Sequence, residues 1–194
     1  MGKICLVRHG ETDWNATGRL QGREDIPLND RGRAQARQSG EFLRRFSWDM
    51  LITSPMRRAK ETAEIIRIAL NQQVPLVEMD AFVERDYGEG AGLTSEERNR
   101  QYPDRVYPGQ ESWEDLRKRA MDGIERIQKA YLAENVLLVA HGGVINAILA
   151  TLSGGEIGTG KTRLHNACIS HIHFVEEAWQ VLDYNQVSHL SDAP

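Results

Sequence analysis

Residues 4–15 read ICLVRHGETDWN. Ile4, Cys5, Leu6 and Val7 make a short, continuously apolar run, the pattern of a strand buried on both faces. The run ends on Arg8, His9 and Gly10: a cation, an imidazole and a residue without a side chain. Packing in a core gives no reason for that ending. A ligand at the end of the strand would.

A second stretch repeats the pattern. The apolar run VLLVA, residues 136–140, is followed at once by His141, Gly142 and Gly143. In open α/β sheets, ligands bind beyond the carboxyl ends of the strands, and backbone N–H groups at the start of the next helix attract anions. Two strands ending in His-Gly would place two imidazoles in that crevice, with glycines that let a ligand approach the backbone. Either histidine alone reads equally well as a loop residue satisfied by hydrogen bonds. The matched context favours a shared function. A third strand end, MLITSPMRRAK at 50–60, carries Arg57, Arg58 and Lys60 in the first turns of a helix. Cations there oppose the helix dipole, by roughly 0.3–1 kcal/mol each when exposed. A bound anion between an arginine and the helix start would explain one of them. For Arg57 and Lys60 a solvated face paired with Glu61 and Glu64 suffices.

Strands are predicted over 3–7, 50–53, 74–79 and 136–140, and helices over 31–46, 55–71, 112–132 and 143–152. Ser54 is the expected cap of the second helix, with Pro55 at its first position, and Ser112 the expected start of the third. Two closing strands, over 168–175 and 179–184, are expected to form a hairpin at one edge of the sheet. Strands alternating with helices predict a layered α/β fold with a mostly parallel sheet.

Bulk properties set loose bounds. The 194 residues suit one domain; 40% are hydrophobic and 27% charged, ordinary for a globular chain. Lys plus Arg total 24 against 28 for Asp plus Glu, a net charge of −4, which offers no global attraction for nucleic acid or anionic membrane. An anionic ligand must be drawn by a local field. Cys5 and Cys168 sit in apolar runs and read as buried free thiols. The first apolar run is too short for a signal peptide and no stretch approaches membrane-spanning length, so a cytoplasmic location is expected.

Six segments in order identify a relationship. LVRHGETDWN (6–15), GREDIPLNDRGRAQA (22–36), TSPMRRAKETAEII (53–66), ERDYGEG (84–90), PGQESWEDLRKR (108–119) and LLVAHGGVINAIL (137–149) together resemble the histidine phosphatase, or phosphoglycerate mutase-like, superfamily over nearly the whole chain. The resemblance implies a three-layer α/β/α sandwich in a single domain, 1–194, and phosphohistidine chemistry with no metal or other cofactor. Position by position it makes His9 the nucleophile and Arg8 the adjacent phosphate ligand. Arg58 becomes the second guanidinium, His141 the second histidine, and Glu84 the proton donor. Asn15, Gln21, Gly22, Tyr87 and Gly142 join Arg8, Arg58 and His141 as candidate substrate contacts. Gln110 departs from the phosphatase branch, where glycine is common, and bears on pocket shape.

The residue types fit the chemistry. Phosphoryl transfer needs charge neutralised around the equatorial oxygens and an in-line nucleophile. Arginine supplies the first through a permanent charge and a planar fork of donors. A neutral imidazole supplies the second, and nearby cations should depress the pKa of His9 and keep it free to attack. A carboxyl kept protonated by burial, Glu84, could protonate the leaving alkoxide and then activate water.

Two motifs compete. GEIGTGKT, 155–162, fits the phosphate-loop pattern G-x-x-x-x-G-K-[ST]. That pattern works only between a buried strand and a helix, and here it follows a helix and precedes a strand, so a nucleotide-binding reading is set aside. His171 and His173 share a strand face but lack a third ligand for a metal. The expected function is metal-independent hydrolysis of small phosphate monoesters. A phosphoglycerate mutase is the alternative, with a non-catalytic phosphate-binding module a third possibility that the intact His9, Glu84 and His141 set argues against.

Overall fold

The computed structural model describes residues 2–131 and 135–191. Its centre is a six-stranded sheet in the order β3-β2-β4-β1-β5-β6. The strands are β1 (Lys3–Arg8), β2 (Met50–Thr53), β3 (Leu76–Glu78), β4 (Asn135–Ala140), β5 (Ile169–Val175) and β6 (Ala178–Gln186). β1, β2, β3 and β4 run parallel, and β5 and β6 close one edge as an antiparallel hairpin. The expected sandwich and its hairpin are both present.

The period-2 geometry of a strand sorts the apolar runs into two cores. Cys5, Val7, Leu51, Leu137 and Val139 face one side, where α2 (Asp30–Leu43) and α3 (Arg57–Leu70) present Leu43, Ala59, Ala63 and Ile66. Ile4, Leu6, Ile52, Val136 and Leu138 face the other, against α5 (Trp113–Tyr131) and α6 (Gly142–Leu152). Burying each Leu, Ile or Val contributes about 1.5–3 kcal/mol relative to exposure. Both faces of β1 and β4 are therefore covered, which is why those runs are apolar without alternation. No helix among the described residues is long and apolar enough to cross a membrane.

Several boundaries differ from the periodicity. α1 (Asp13–Ala16) and α4 (Ser95–Gln101) are short helices fixed by capping boxes, Thr12 with Asn15 and Thr94 with Glu97, and carry too few turns to show a period. α2 begins one residue early behind the Asn29 cap and stops before the exposed Phe46. α3 starts at Arg57, so neither Ser54 nor Pro55 takes its expected place. Asp25 Oδ1 accepts the Arg57 N–H at 2.8 Å instead, capping the helix from a distant loop. α5 does open at Ser112, whose Oγ accepts the Asp115 N–H at 3.0 Å. Its expected last residue, Leu132, lies outside the described residues. Lys60 pairs with Glu78 at 2.5 Å, while Glu61 and Glu64 pair with Arg33 and Arg67, which replaces the pairing expected on that face. Cys5 and Cys168 are buried free thiols.

Candidate active site

Three parallel strands deliver the site. In register, Arg8 on β1 stands opposite Ala140 on β4, and Thr53 on β2 stands opposite Val139. The next residue of each strand therefore arrives at the same edge. The His9 N–H donates to Ala140 O at 2.9 Å and the Ser54 N–H to Val139 O at 3.1 Å. His9 and His141 are both buried, with ring centroids 5.1 Å apart.

The hydrogen bonds of His9 define its proton. Nδ1 lies 2.7 Å from Gly10 O, an acceptor, so Nδ1 carries the hydrogen. Nε2 then keeps its lone pair and accepts from Arg58 Nε at 3.2 Å. Burial, then the Arg58 and Arg8 charges, hold the His9 pKa well below the ordinary value, against a weaker opposing pull from the Gly10 contact. The ring is neutral at neutral pH. The expectation from the sequence holds, with burial the larger cause.

Arg58 sits at the first turn of α3 with 1% exposure. Its remaining donors reach Gly22 O and Glu24 O, each at 2.8 Å. Burial pulls its pKa to about 10, which still leaves a cation. Gly22, at φ +56°, holds the turn that presents its carbonyl to this guanidinium. Arg57 is exposed and does not line the cleft. Arg8 donates to Leu164 O at 2.6 Å, and its buried Nε has no partner.

His141 completes the cluster as the N-cap residue of α6, with no capping role for its side chain. Its Nε2 lies 2.8 Å from Ser54 Oγ. That oxygen accepts the Met56 N–H at 3.4 Å, leaving the hydroxyl hydrogen for Nε2. Nδ1 of His141 is then the protonated nitrogen, buried and unpartnered. Burial first, then Arg58, His9 and Arg8, lower its pKa well below the usual range. Ser54, read from sequence as a helix cap, is instead the orienting partner of this ring.

Glu84 follows β3 through a 3₁₀ turn at Asp80–Phe82 and is 7% exposed. Oε1 accepts the Arg85 N–H at 2.8 Å and Oε2 the Gly143 N–H at 3.0 Å. The second bond comes from the first turn of α6, so one helix start holds the carboxylate and carries His141. Arg119 on α5 braces the segment from behind, donating to Glu84 O at 3.2 Å and Ala81 O at 2.9 Å while paired with Glu111. The sequence marks Gly143, with Gly142, as a glycine for close ligand approach and not as the partner of Glu84, and it does not mark Arg119. Nothing local marks either role, because Glu84 and Arg119 come from distant segments.

Arg8, His9, Arg58 and Glu84 open into a cleft of about 490 Å³ lined also by Asn15, Gln21, Gly22, Tyr87 and Gly142, with His141 behind its wall. Asn15 is held rigidly: its Oδ1 accepts from Thr12 and from Asn166 Nδ2 at 2.9 Å. Leu93 does not line the cleft; its carbonyl holds Arg98. Arg85 turns away, stacked 3.9 Å over Trp113 and bonded to Glu111 O. Gln110 does not line the cleft; its backbone is bridged antiparallel to Tyr87, which does, and its side chain lies 3.3 Å from Arg85 Nη2. The 155–162 loop connects α6 to β5, and Lys161 donates to Gly155 O within the loop. His171 is paired with Asp183 at 2.8 Å, and no group of three metal-ligating side chains occurs among the described residues.

Four buried side-chain atoms lack a partner among the described residues: Arg8 Nε, His141 Nδ1, Gln21 Oε1 and Asn146 Oδ1. Such groups ordinarily cost about 1–3 kcal/mol each. Arg8, Gln21 and Asn146 line the cleft, and His141 lies behind it against His9. Stability has been given up where a ligand would restore it.

The comparisons agree with this geometry. A family model described as histidine phosphatase superfamily (branch 1) matches residues 4–187. A Bacillus subtilis protein described as an uncharacterized phosphatase, PhoE, is 52% identical over 191 residues, covering 98% of each chain. A Salmonella choleraesuis protein described as a probable phosphoglycerate mutase, GpmB, is 34% identical, covering 100% of this chain and 97% of its own. The solved structure of Bacillus stearothermophilus YhfR superposes with a TM-score of 0.89 at 27% identity, covering 97% and 99%.

Proposed function

The chain belongs to the histidine phosphatase superfamily, and from that premise we propose that residues 1–194 form one domain that hydrolyses small phosphate monoesters through a phosphohistidine on His9. The observation that carries the reading is the unprotonated Nε2 of His9, fixed by Gly10 and flanked by Arg58. Nε2 attacks phosphorus while the bond to the ester oxygen breaks. Arg8 Nε, Arg58 and His141 Nδ1 donate to the equatorial oxygens, supplying the charge neutralisation that such a transition state requires. Glu84 delivers a proton to the departing oxygen. Water then attacks the phosphohistidine, Glu84 takes its proton, the N–P bond breaks, and His9 and inorganic phosphate are released. Asn15, Gln21, Gly22, Tyr87 and Gly142 shape the room around the ester. The partner is a small phosphate ester rather than nucleic acid or membrane, the reaction needs no cofactor, and the location is cytoplasmic.

The mutase alternative follows the name of the Salmonella relative. Arg85 is committed to Trp113 and Glu111 O, so it adds no charge to the cleft for a second phosphate. The test is a trap. Quenching at alkaline pH during turnover of a labelled ester should yield an acid-labile adduct that His9→Ala abolishes along with hydrolysis. Incubation with 3-phosphoglycerate and a bisphosphoglycerate primer should release phosphate. Efficient isomerisation with negligible release would replace hydrolase by mutase.

A further inference from the structure

We propose that Thr62 is a positioning residue for the nucleophile. Its hydroxyl holds the two partners of the His9 imidazole, the Gly10 carbonyl on Nδ1 and the Arg58 guanidinium on Nε2, in register with each other. The inference rests on the phosphohistidine reading above.

Thr62 lies on α3 one turn beyond Arg58 and is fully buried. The other residues of α3 that are buried against the sheet, Ala59, Ala63 and Ile66 among them, are apolar. A hydroxyl in such surroundings costs free energy unless it is hydrogen-bonded, and a branched side chain forms helix less readily than alanine. Packing by itself would be served as well by valine. The oxygen at residue 62 has another use.

That oxygen has two partners. It donates to Arg58 O at 2.7 Å, which commits its hydrogen along the helix, and it accepts the Gly10 N–H at 3.1 Å. Gly10 is the residue whose carbonyl receives the His9 Nδ1 hydrogen. Arg58 is the residue whose Nε donates to His9 Nε2. One side chain therefore joins the main chain on one flank of the imidazole to the main chain on the other. None of the roles that the sequence resemblance assigns falls to it.

The other contacts of Gly10 lead elsewhere. It is pressed against α2, where a side chain would strike the Gly32 carbonyl, and its own carbonyl accepts from Asn166 Nδ2 at 3.2 Å. Those contacts tie Gly10 to α2 and to the segment before β5. Thr62 ties it to the helix that carries Arg58. Phosphoryl transfer is sensitive to such placement, since a shift of about 1 Å can cost on the order of a hundredfold in rate. The tautomer depends on it as well, because Nδ1 keeps the hydrogen only while Gly10 O stays within reach.

Substitutions on α3 test this. Thr62→Val keeps the shape and removes the hydroxyl. Its kcat/KM should fall by about tenfold or more, equally on glycerol 3-phosphate and p-nitrophenyl phosphate, because attack by Nε2 is common to both. Thr62→Ala removes the same oxygen and favours the helix; it is the second variant and should lose as much. Thr62→Ser restores the oxygen and should stay within about threefold of wild type. Ile66→Val loosens the same helix in the core, so it should lower Tm and leave both rates unchanged. The direct readout is 15N NMR of the histidine rings, with the His9 signals identified by their absence from His9→Gln. Wild type, Thr62→Ser and Ile66→Val should show a protonated Nδ1 and a bare Nε2 on His9, and Thr62→Val a mixture of the two tautomers. An unchanged tautomer, unchanged rates, or a loss that Ile66→Val reproduces would each overturn the inference and leave the phosphohistidine reading standing. Hydrolysis undiminished in His9→Gln would remove that reading instead.

Discussion

The two glycines after His141 do different work. A carbon added at Gly143 would stand 2.5 Å from Glu84 Oε1 and 3.2 Å from Cδ, so any side chain there drives the carboxylate from its place. At Gly142 the added carbon meets Arg8 Nε at 3.5 Å, an ordinary contact, and leaves Glu84 alone. Gly143→Ala should therefore depress turnover of alkyl phosphates, which need a proton on the leaving oxygen, by about tenfold or more relative to p-nitrophenyl phosphate. Gly142→Ala should leave that ratio unchanged. Steady-state rates on both esters check it, and an unchanged ratio in Gly143→Ala would separate Glu84 from proton transfer. Sequence reading reached Glu84 through resemblance and reached Gly142 as a glycine that permits close approach. It gave Gly143 the same reading and missed its contact with Glu84, because the carboxylate that excludes a side chain there comes from a segment 59 residues away.

Among the elements, the β5–β6 hairpin shows a local choice overruled by its flanks. Its two connecting residues are Glu176 and Glu177, at φ +51° and +62°. Paired strands of right-handed twist demand that turn, and Asn-Gly is the pair that adopts it without strain. Glutamate has a Cβ that resists it. Replacing Glu176 by Asn together with Glu177 by Gly should stabilise the protein by about 1 kcal/mol, a rise in Tm of roughly 2–4 °C for a chain of this size. Because β5 runs against β1, this turn lies at the opposite end of the sheet from His9, and kcat/KM should not move. Calorimetry and steady-state kinetics read the two outcomes; a lower Tm would mean the glutamates hold the turn through contacts of their own. The α3 boundary is the converse case. Ser54 and Pro55 have every local feature of a helix start, yet the Ser54 hydroxyl belongs to His141 and the cap comes from Asp25.

For the molecule as a whole, the site carries a pH cost. His9, His141 and His189 all have pKa values lowered by burial, the first two strongly. In the unfolded chain each binds a proton near pH 6.5. Below that pH the unfolded state holds more protons than the folded one, so stability falls as pH falls through 6.5 and is recovered above it. Each strongly depressed group should contribute a slope approaching about 1.4 kcal/mol per pH unit. Denaturant titrations at pH 7.5 and 5.5 should show the loss, and His141→Asn should lessen it. Equal stability at the two pH values would mean that these rings take up protons in the folded state.

What the sequence by itself determined was whatever depends on near neighbours. The apolar runs at 4–7 and 136–140, the helical periods between them and the His-Gly endings were enough for an α/β sandwich with two imidazoles at one edge of a parallel sheet. Short-range patterning carries this information because strand and helix faces repeat every two or 3.6 residues. Tertiary structure alone decided which polar atoms meet: Ser54 with His141, Gly143 with Glu84, Asp25 with the start of α3, and Arg119 behind Glu84. Those meetings follow from strand order and register, which bring together segments tens of residues apart. They also depend on the satisfaction of buried hydrogen bonds, a property of the packed interior that no local stretch of chain contains.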